Sequence, residues 1–122
     1  QKYTFVVSAI ISSCLFGFWH MIGPVRNYVD GVMNLNDMIA YIAMLVVTST
    51  LVGFKFAMLT KMTGSLYMAM GDHFVNNTIV NLLHVVSDTG ADEMMVVRVT
   101  IAQSVSFILV LLCYIRRCRK IL

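Results

Sequence analysis

The sequence predicts an all-α polytopic membrane protein with about four transmembrane helices. Of its 122 residues, 59% are hydrophobic and 12% are charged, whereas about 25% of the residues in a soluble domain are charged. The mean hydropathy is +0.82. The sequence has one proline and no Gly/Ser-rich stretch that could act as a linker. Residues 1–122 are therefore predicted to form a single transmembrane helical domain.

Four apolar runs are the predicted spans, each about 20 residues long, which suits a helix that crosses a bilayer. They cover about residues 3–22, 38–59, 65–86 and 94–115. Gly23–Pro24 is expected to break the helix, because these residues are strong helix punctuators. The following residues, up to 37, are predicted to form a loop that has room for a short helix in the membrane surface.

Small and special residues in the spans predict local packing. The first span has a small residue at every fourth position: Ala9, Ser13 and Gly17. This spacing allows another helix to approach closely, and ordinary small residues of a helix would explain it equally well. Lys55 lies near the end of the second span and is expected to extend its ammonium group to the membrane surface. Gly64 suits a helix C-cap, and Ser65 or Thr63 can cap the helix that follows.

The positive charges are better explained by membrane topology than by nucleic-acid binding. The net charge is +3, and the basic residues cluster at span ends. With the C-terminus in the cytoplasm, seven of the nine Lys and Arg residues lie on the cytoplasmic side. The predicted partner is the lipid bilayer, and no nucleic acid is expected. The three cysteines have no CxxC spacing and indicate neither a zinc nor a redox motif.

A polar stripe runs along the third span at helical spacing: His73, Asn77, Asn81 and His84. Polar groups at membrane depth are expensive, so the stripe should face the bundle interior or a wet cavity. His20 ends the first span. The two histidines His20 and His73 could orient a water, bind a metal or stabilise an oxyanion. They could equally be buried histidines that bond to their neighbours, and the residues alone leave both interpretations open.

Asp72 precedes His73 but lies about 100° around the helix from it. It is predicted to be bonded inside the bundle rather than to share the histidine face.

Two short motifs in the spans resemble those of a known family. Phe16-x-x-x-His20, after an apolar helix, looks like the second motif of the CPBP intramembrane proteases. These are the CAAX-protease and bacteriocin-processing enzymes, also called Abi. Thr63-Gly64-Ser65 followed by His73-x-x-x-Asn77 looks like the third motif with its preceding turn. The resemblance extends over about residues 8–86.

The resemblance implies an intramembrane endopeptidase of the CAAX-prenyl-protease or bacteriocin-processing type. Such an enzyme cleaves membrane-associated peptides or lipidated proteins with an activated water. It implies that His20, His73 and Asn77 are catalytic, and that His20 and His73 are the ligands if a divalent metal such as zinc is used. A catalytic zinc site normally has three protein ligands, so whether a metal is used stays open. The expected location is a bacterial plasma membrane, with several spans.

The family's first motif, EExxxR, does not occur in the sequence. The resemblance implies that its glutamate activates the water, and the motif would fall upstream of Gln1. We expect the chain to be cut from a longer, active parent and to be inactive as given. A split protein or an inactive relative would also fit.

A rival interpretation comes from another class of protein. A small non-enzymatic transporter or channel subunit could use the same His/Asn stripe to line a pathway. An EExxxR helix just before Gln1 would support the protease, whereas a reading frame that starts near Gln1 would support the rival.

Overall fold

The computed structural model describes residues 4–82 and 94–119, with Asn81 described by its backbone only, and these residues form α-helices joined by short turns. The helices are α1 (Phe5–Trp19), α2 (Ile22–Val29), α3 (Leu35–Thr63), α4 (Tyr67–Leu82) and α5 (Met95–Arg119). No β-strand occurs among these residues. The all-α prediction is confirmed.

Three stretches of the described chain are long and apolar enough to cross a membrane: Phe5–Val29, Leu35–Thr63 and Met95–Arg119. Their mean hydropathies are 1.9, 1.9 and 2.1. Large apolar side chains on them are exposed, for example Leu15 and Leu109, as expected for helices that lipid surrounds. The third predicted span appears as α4, which is described over 16 residues; its last predicted residues, 83–86, lie outside the described part. The chain is a polytopic helical membrane protein.

The break after the first helix lies upstream of the predicted Gly23–Pro24 position. α1 ends at Trp19, and the backbone N–H of His20 closes it with a 3.1 Å hydrogen bond to the Gly17 carbonyl. Pro24 instead lies in the first turn of α2. A proline there loses no intrahelical hydrogen bond, and its fixed φ suits a helix. The predicted position of the break is therefore wrong. A short helix does occur where a loop with room for one was predicted, and its location in the membrane surface stays a prediction.

Residue contacts group the chain into two units, residues 1–54 and residues 55–122. The boundary falls within α3. The first unit contains α1, α2 and the first part of α3, and the second contains the rest of α3, α4 and α5.

In the first unit, small residues bring α1 and α3 close together. The buried residues of α1 are those predicted from the spacing: Ala9, Ser13 and Gly17. A Cβ added to Gly17 would lie 2.8 Å from the Val46 carbonyl oxygen and would overlap the Thr50 hydroxyl. A Cβ added to Gly53 would lie 2.8 Å from the Cα of Ser13. The predicted close approach is confirmed, because a side chain at either glycine would force the helices apart.

The turn between α3 and α4 has the predicted chemistry. Gly64 has a φ of +70°, a conformation that glycine adopts without steric cost, and its N–H bonds to the Thr60 carbonyl at 2.9 Å. The Ser65 hydroxyl accepts a 3.2 Å hydrogen bond from the Tyr67 N–H, at the start of α4. The turn thus fixes where α4 begins.

The prediction that Lys55 reaches the membrane surface is wrong. Its side chain is buried, and its Nζ lies 2.7 Å from Asp72 Oδ2. α3 continues to Thr63, eight residues beyond Lys55, which is about 12 Å at 1.5 Å per residue. The ammonium group would have to cover this distance to leave the helix end, whereas a carboxylate is within reach. Lys55 therefore carries no information on membrane orientation.

Candidate active site

His20 is oriented by its own helix. It follows Phe16 by one turn, and its Nδ1 lies 2.8 Å from the Phe16 carbonyl oxygen. A carbonyl only accepts, so Nδ1 carries the hydrogen and donates it. The Phe16 ring also packs edge-on against the imidazole, with ring centroids 4.8 Å apart at 66°. The Phe16-x-x-x-His20 motif is therefore a local device that fixes the imidazole and directs Nε2 away from its own backbone.

His73 is oriented by two neighbours in the second unit. Asn77 lies one turn further along α4, and its Nδ2 is 3.2 Å from His73 Nε2. An amide N–H donates, so Nε2 is the acceptor and the ring proton lies on Nδ1. On α3, the Phe56 ring packs against the imidazole, with centroids 5.5 Å apart at 87°. The imidazole is thus held by an amide along its helix and by an aromatic ring from the neighbouring helix.

The His73–Asn77 pair lines an open cavity on the surface of α4. The cavity has a volume of about 460 Å³ and is lined by a mostly apolar set of residues from α4: Met70, His73, Phe74, Asn77, Thr78 and Leu82. His73 is half-buried and Asn77 is exposed. Two oriented polar groups in an apolar surface are the usual make-up of a small-molecule or peptide site.

The predicted site residues make two separate contacts, each within one helical turn. His73 and Asn77 contact each other in the second unit, and His20 contacts Phe16 in the first. Of the remaining stripe, Asn81 lies on α4 with only its backbone described, and His84 lies outside the described residues. The polar stripe is therefore described over its first half.

Asp72 is bonded inside the second unit, as predicted. Its carboxylate pairs with the ammonium of Lys55. Sequence reasoning missed the partner and also missed Gln103, which donates to Asn76 and accepts from Lys55. The available signal was a lysine and a glutamine inside apolar spans, since charged or polar groups at that depth usually pair. Their pairing could not be predicted, because it depends on how α3, α4 and α5 align.

The described residues do not complete a metal site. Across residues 4–82 and 94–119, no group of three or more His, Cys, Asp or Glu side chains is placed to hold an ion. The Nε2 of His73 is also occupied by the Asn77 amide. A catalytic zinc site needs three protein ligands, so the donors described here do not fit one.

Comparison with known families shows a match over most of the chain. The family model described as "Type II CAAX prenyl endopeptidase Rce1-like" matches residues 1–79, a stretch that contains both histidine motifs. Most of the matched stretch is α1 to α4, and α5 lies beyond it. No curated protein and no solved structure matches the chain.

Proposed function

The chain belongs to the type II CAAX prenyl endopeptidase Rce1-like family of intramembrane proteases, and from this premise we propose that it carries part of the active site of an endopeptidase. The proposed reaction is hydrolysis of a peptide bond in a membrane-associated peptide or protein by an activated water. The proposed catalytic residues are His20, His73 and Asn77. The observation that carries the proposal is the His73–Asn77 contact of 3.2 Å on the wall of an accessible cavity.

The contacts of each histidine support a distinct role. His20 donates from Nδ1 to its own helix, so its Nε2 lone pair is available to accept a proton from water. His73 accepts at Nε2 from Asn77, which leaves the ring proton on Nδ1, and the proposed role of this N–H is to stabilise the oxyanion that forms when water attacks the carbonyl carbon. The amide nitrogen then leaves as an amine with the proton that the base accepted. The resemblance implies that the glutamate of the family's EExxxR motif activates the water. His20 would cooperate with this glutamate.

A divalent ion such as zinc is proposed as a cofactor only on the condition that further protein ligands complete its site. His20 could give one imidazole nitrogen, and His73 could give one if Asn77 released Nε2. A third ligand would have to come from residues beyond those described, and we assign no step of the reaction to a metal.

The proposed substrates are anchored at a membrane. Prenylated-type C-terminal tails, bacteriocin leaders and other small membrane peptides fit a multi-pass protein whose candidate site is surrounded by apolar side chains. We propose a bacterial plasma membrane as the location.

The proposal is tested by changing His73→Ala in the full-length gene product, reconstituted in lipid vesicles with a prenylated peptide reporter. We expect the initial rate of proteolysis to fall by about 100-fold or more, the range for removal of a positioned catalytic group. Asn77→Ala should lower the rate less, because it loosens the ring but leaves it in place. The matched control is Tyr67→Ala on the same helix, since Tyr67 is 82% exposed.

Membrane insertion and thermal stability of each variant should match those of the parent. An unchanged rate for His73→Ala would remove this residue from the site. A parent that shows no proteolysis above background would instead favour the non-enzymatic transporter or channel subunit.

A further inference from the structure

A polar cluster surrounds the buried Lys55 in the second unit, next to His73 and Asn77. Only 1% of Lys55 is exposed. Its Nζ forms an ion pair with Asp72 at 2.7 Å, and it donates hydrogen bonds to Gln103 Oε1 at 2.9 Å and to Ser106 Oγ at 3.2 Å. A lysine ammonium has three N–H donors; two of them make these hydrogen bonds, and the Asp72 carboxylate supplies the counter-charge.

Gln103 connects the same cluster to α4 a second time. Its side chain is buried in α5, and its Nε2 donates to Asn76 Oδ1. Asp72 and Asn76 lie one turn apart on one face of α4. α4 is thus held at two successive turns, by α3 through Lys55 and by α5 through Gln103. We name these four residues the positioning cluster: Lys55, Asp72, Asn76 and Gln103.

The positioning cluster and the candidate active site occupy adjacent stripes of α4. The pair His73–Asn77 follows the pair Asp72–Asn76 by one residue. One residue corresponds to a rotation of about 100° around a helix with 3.6 residues per turn. Whatever fixes the direction of the first pair therefore also fixes the direction of the second.

On the facing helix α3, the residues that contact these two pairs are also consecutive in the sequence. Lys55 contacts Asp72, and the next residue, Phe56, contacts His73. If α4 rotated or slid by one residue, Asp72 would move away from Lys55. The buried ammonium of Lys55 would then lack its counter-charge. An uncompensated buried charge is strongly unfavourable, whereas an apolar contact is only exchanged for another. The ion pair consequently selects one alignment of α4 against α3.

We propose that the positioning cluster sets the rotation of α4 and thereby holds His73 and Asn77 in their working orientation. This inference rests on the proposed function, because the orientation matters for catalysis only if His73 acts on the substrate. Lys55, Asp72 and Gln103 do not line the cavity at His73 and Asn77. They are positioning residues, and they act through the helix that carries the site.

The first experiment separates positioning from stability by replacing the ion pair with apolar residues of similar volume, Lys55→Met together with Asp72→Leu. Such replacements of a buried pair are often neutral or stabilising, so the variant should reach normal abundance. In the full-length protein we expect kcat to fall by about 10- to 100-fold, the effect of misplacing a catalytic group by about 1 Å, while KM changes less than twofold. The control is Lys61→Met, since Lys61 is exposed on the same helix. A variant with normal abundance and unchanged kcat would overturn the proposal.

The second experiment does not depend on activity. In a full-length protein whose native cysteines are replaced by alanine, Phe56→Cys and His73→Cys place two thiols on facing sides of α3 and α4. A short thiol-specific crosslinker should join them at least about fivefold less efficiently when Lys55→Met and Asp72→Leu are added, because misalignment moves the thiols apart. With Lys61→Met added instead, the yield should be unchanged. Equal crosslinking with and without the ion pair would show that it does not set the alignment.

The two proposals fail in different ways. Retained proteolysis in His73→Ala would contradict the proposed function and leave the crosslinking result intact. Loss of proteolysis in His73→Ala, together with unaltered crosslinking and kcat in the apolar double variant, would contradict the positioning role alone.

Discussion

The two units hold their helices together by opposite means. In the first unit, α1 and α3 meet through small residues, with Gly17 under Thr50 and Gly53 under Ser13. In the second, α4 is held to α3 by the ion pair of Asp72 with the buried Lys55, and to α5 by the hydrogen bond between Asn76 and Gln103. The first arrangement depends on shape and van der Waals contact, and the second depends on charge.

This difference in helix packing corresponds to how the histidine of each unit is oriented. His20 is fixed by Phe16 on its own helix, so its orientation needs no particular neighbour. The imidazole of His73 packs against Phe56 on another helix, so its orientation depends on how α3 and α4 are aligned. Small-residue packing sets how close two helices come, whereas an ion pair also sets which residues face each other. The polar cluster lies where alignment matters most.

The largest expected effect comes from Asp72→Leu alone. It removes the carboxylate and leaves the Lys55 ammonium buried without its counter-charge. We expect the free energy of unfolding, measured with denaturant in detergent micelles, to fall by about 3–5 kcal/mol. Adding Lys55→Met should recover most of this loss, because no charge then remains buried.

The matched control for this comparison is Asp30→Leu. Asp30 forms an exposed ion pair with Arg26 at 3.5 Å, and exposed pairs contribute about 0–1 kcal/mol. If Asp72→Leu cost no more than Asp30→Leu, the second unit would not depend on its buried charge pair.

A smaller effect is expected from Gly17→Ala in the first unit. The new methyl group would press on the Val46 carbonyl and the Thr50 hydroxyl, and overpacking typically costs about 1–3 kcal/mol. Gly23→Ala is the control, because a Cβ at Gly23 meets no atom within 4 Å and alanine favours a helix over glycine. Opposite signs for the two variants in the same unfolding assay would confirm that close helix contact is specific to Gly17. A stable Gly17→Ala variant would show that α1 can move away from α3 at little cost.

The sequence was sufficient for features that depend on neighbours in the chain. The apolar runs, the Gly64 turn and the small stripe of α1 follow from spacing and from the backbone preferences of single residues. The two i, i+4 motifs also act locally, since Phe16 contacts His20 and Asn77 contacts His73. In contrast, the partner of Lys55 lies 17 positions away and that of Asn76 lies 27 positions away. Such pairs depend on the alignment of separate helices, which periodicity within one helix does not determine.

The smallest expected effect is that of Ser13→Ala. The Ser13 hydroxyl is buried beside Gly53 and has no hydrogen-bond partner among the described residues. Burial of an unbonded hydroxyl is unfavourable, and alanine keeps the Cβ that packs against α3. We expect the free energy of unfolding to stay equal or to rise by up to about 1 kcal/mol. The control is Ser12→Ala, whose exposed hydroxyl donates to the Ala9 carbonyl at 3.2 Å and should matter little. A clear loss of stability for Ser13→Ala would mean that its hydroxyl is bonded in the membrane, and that the first unit also relies on a buried polar contact.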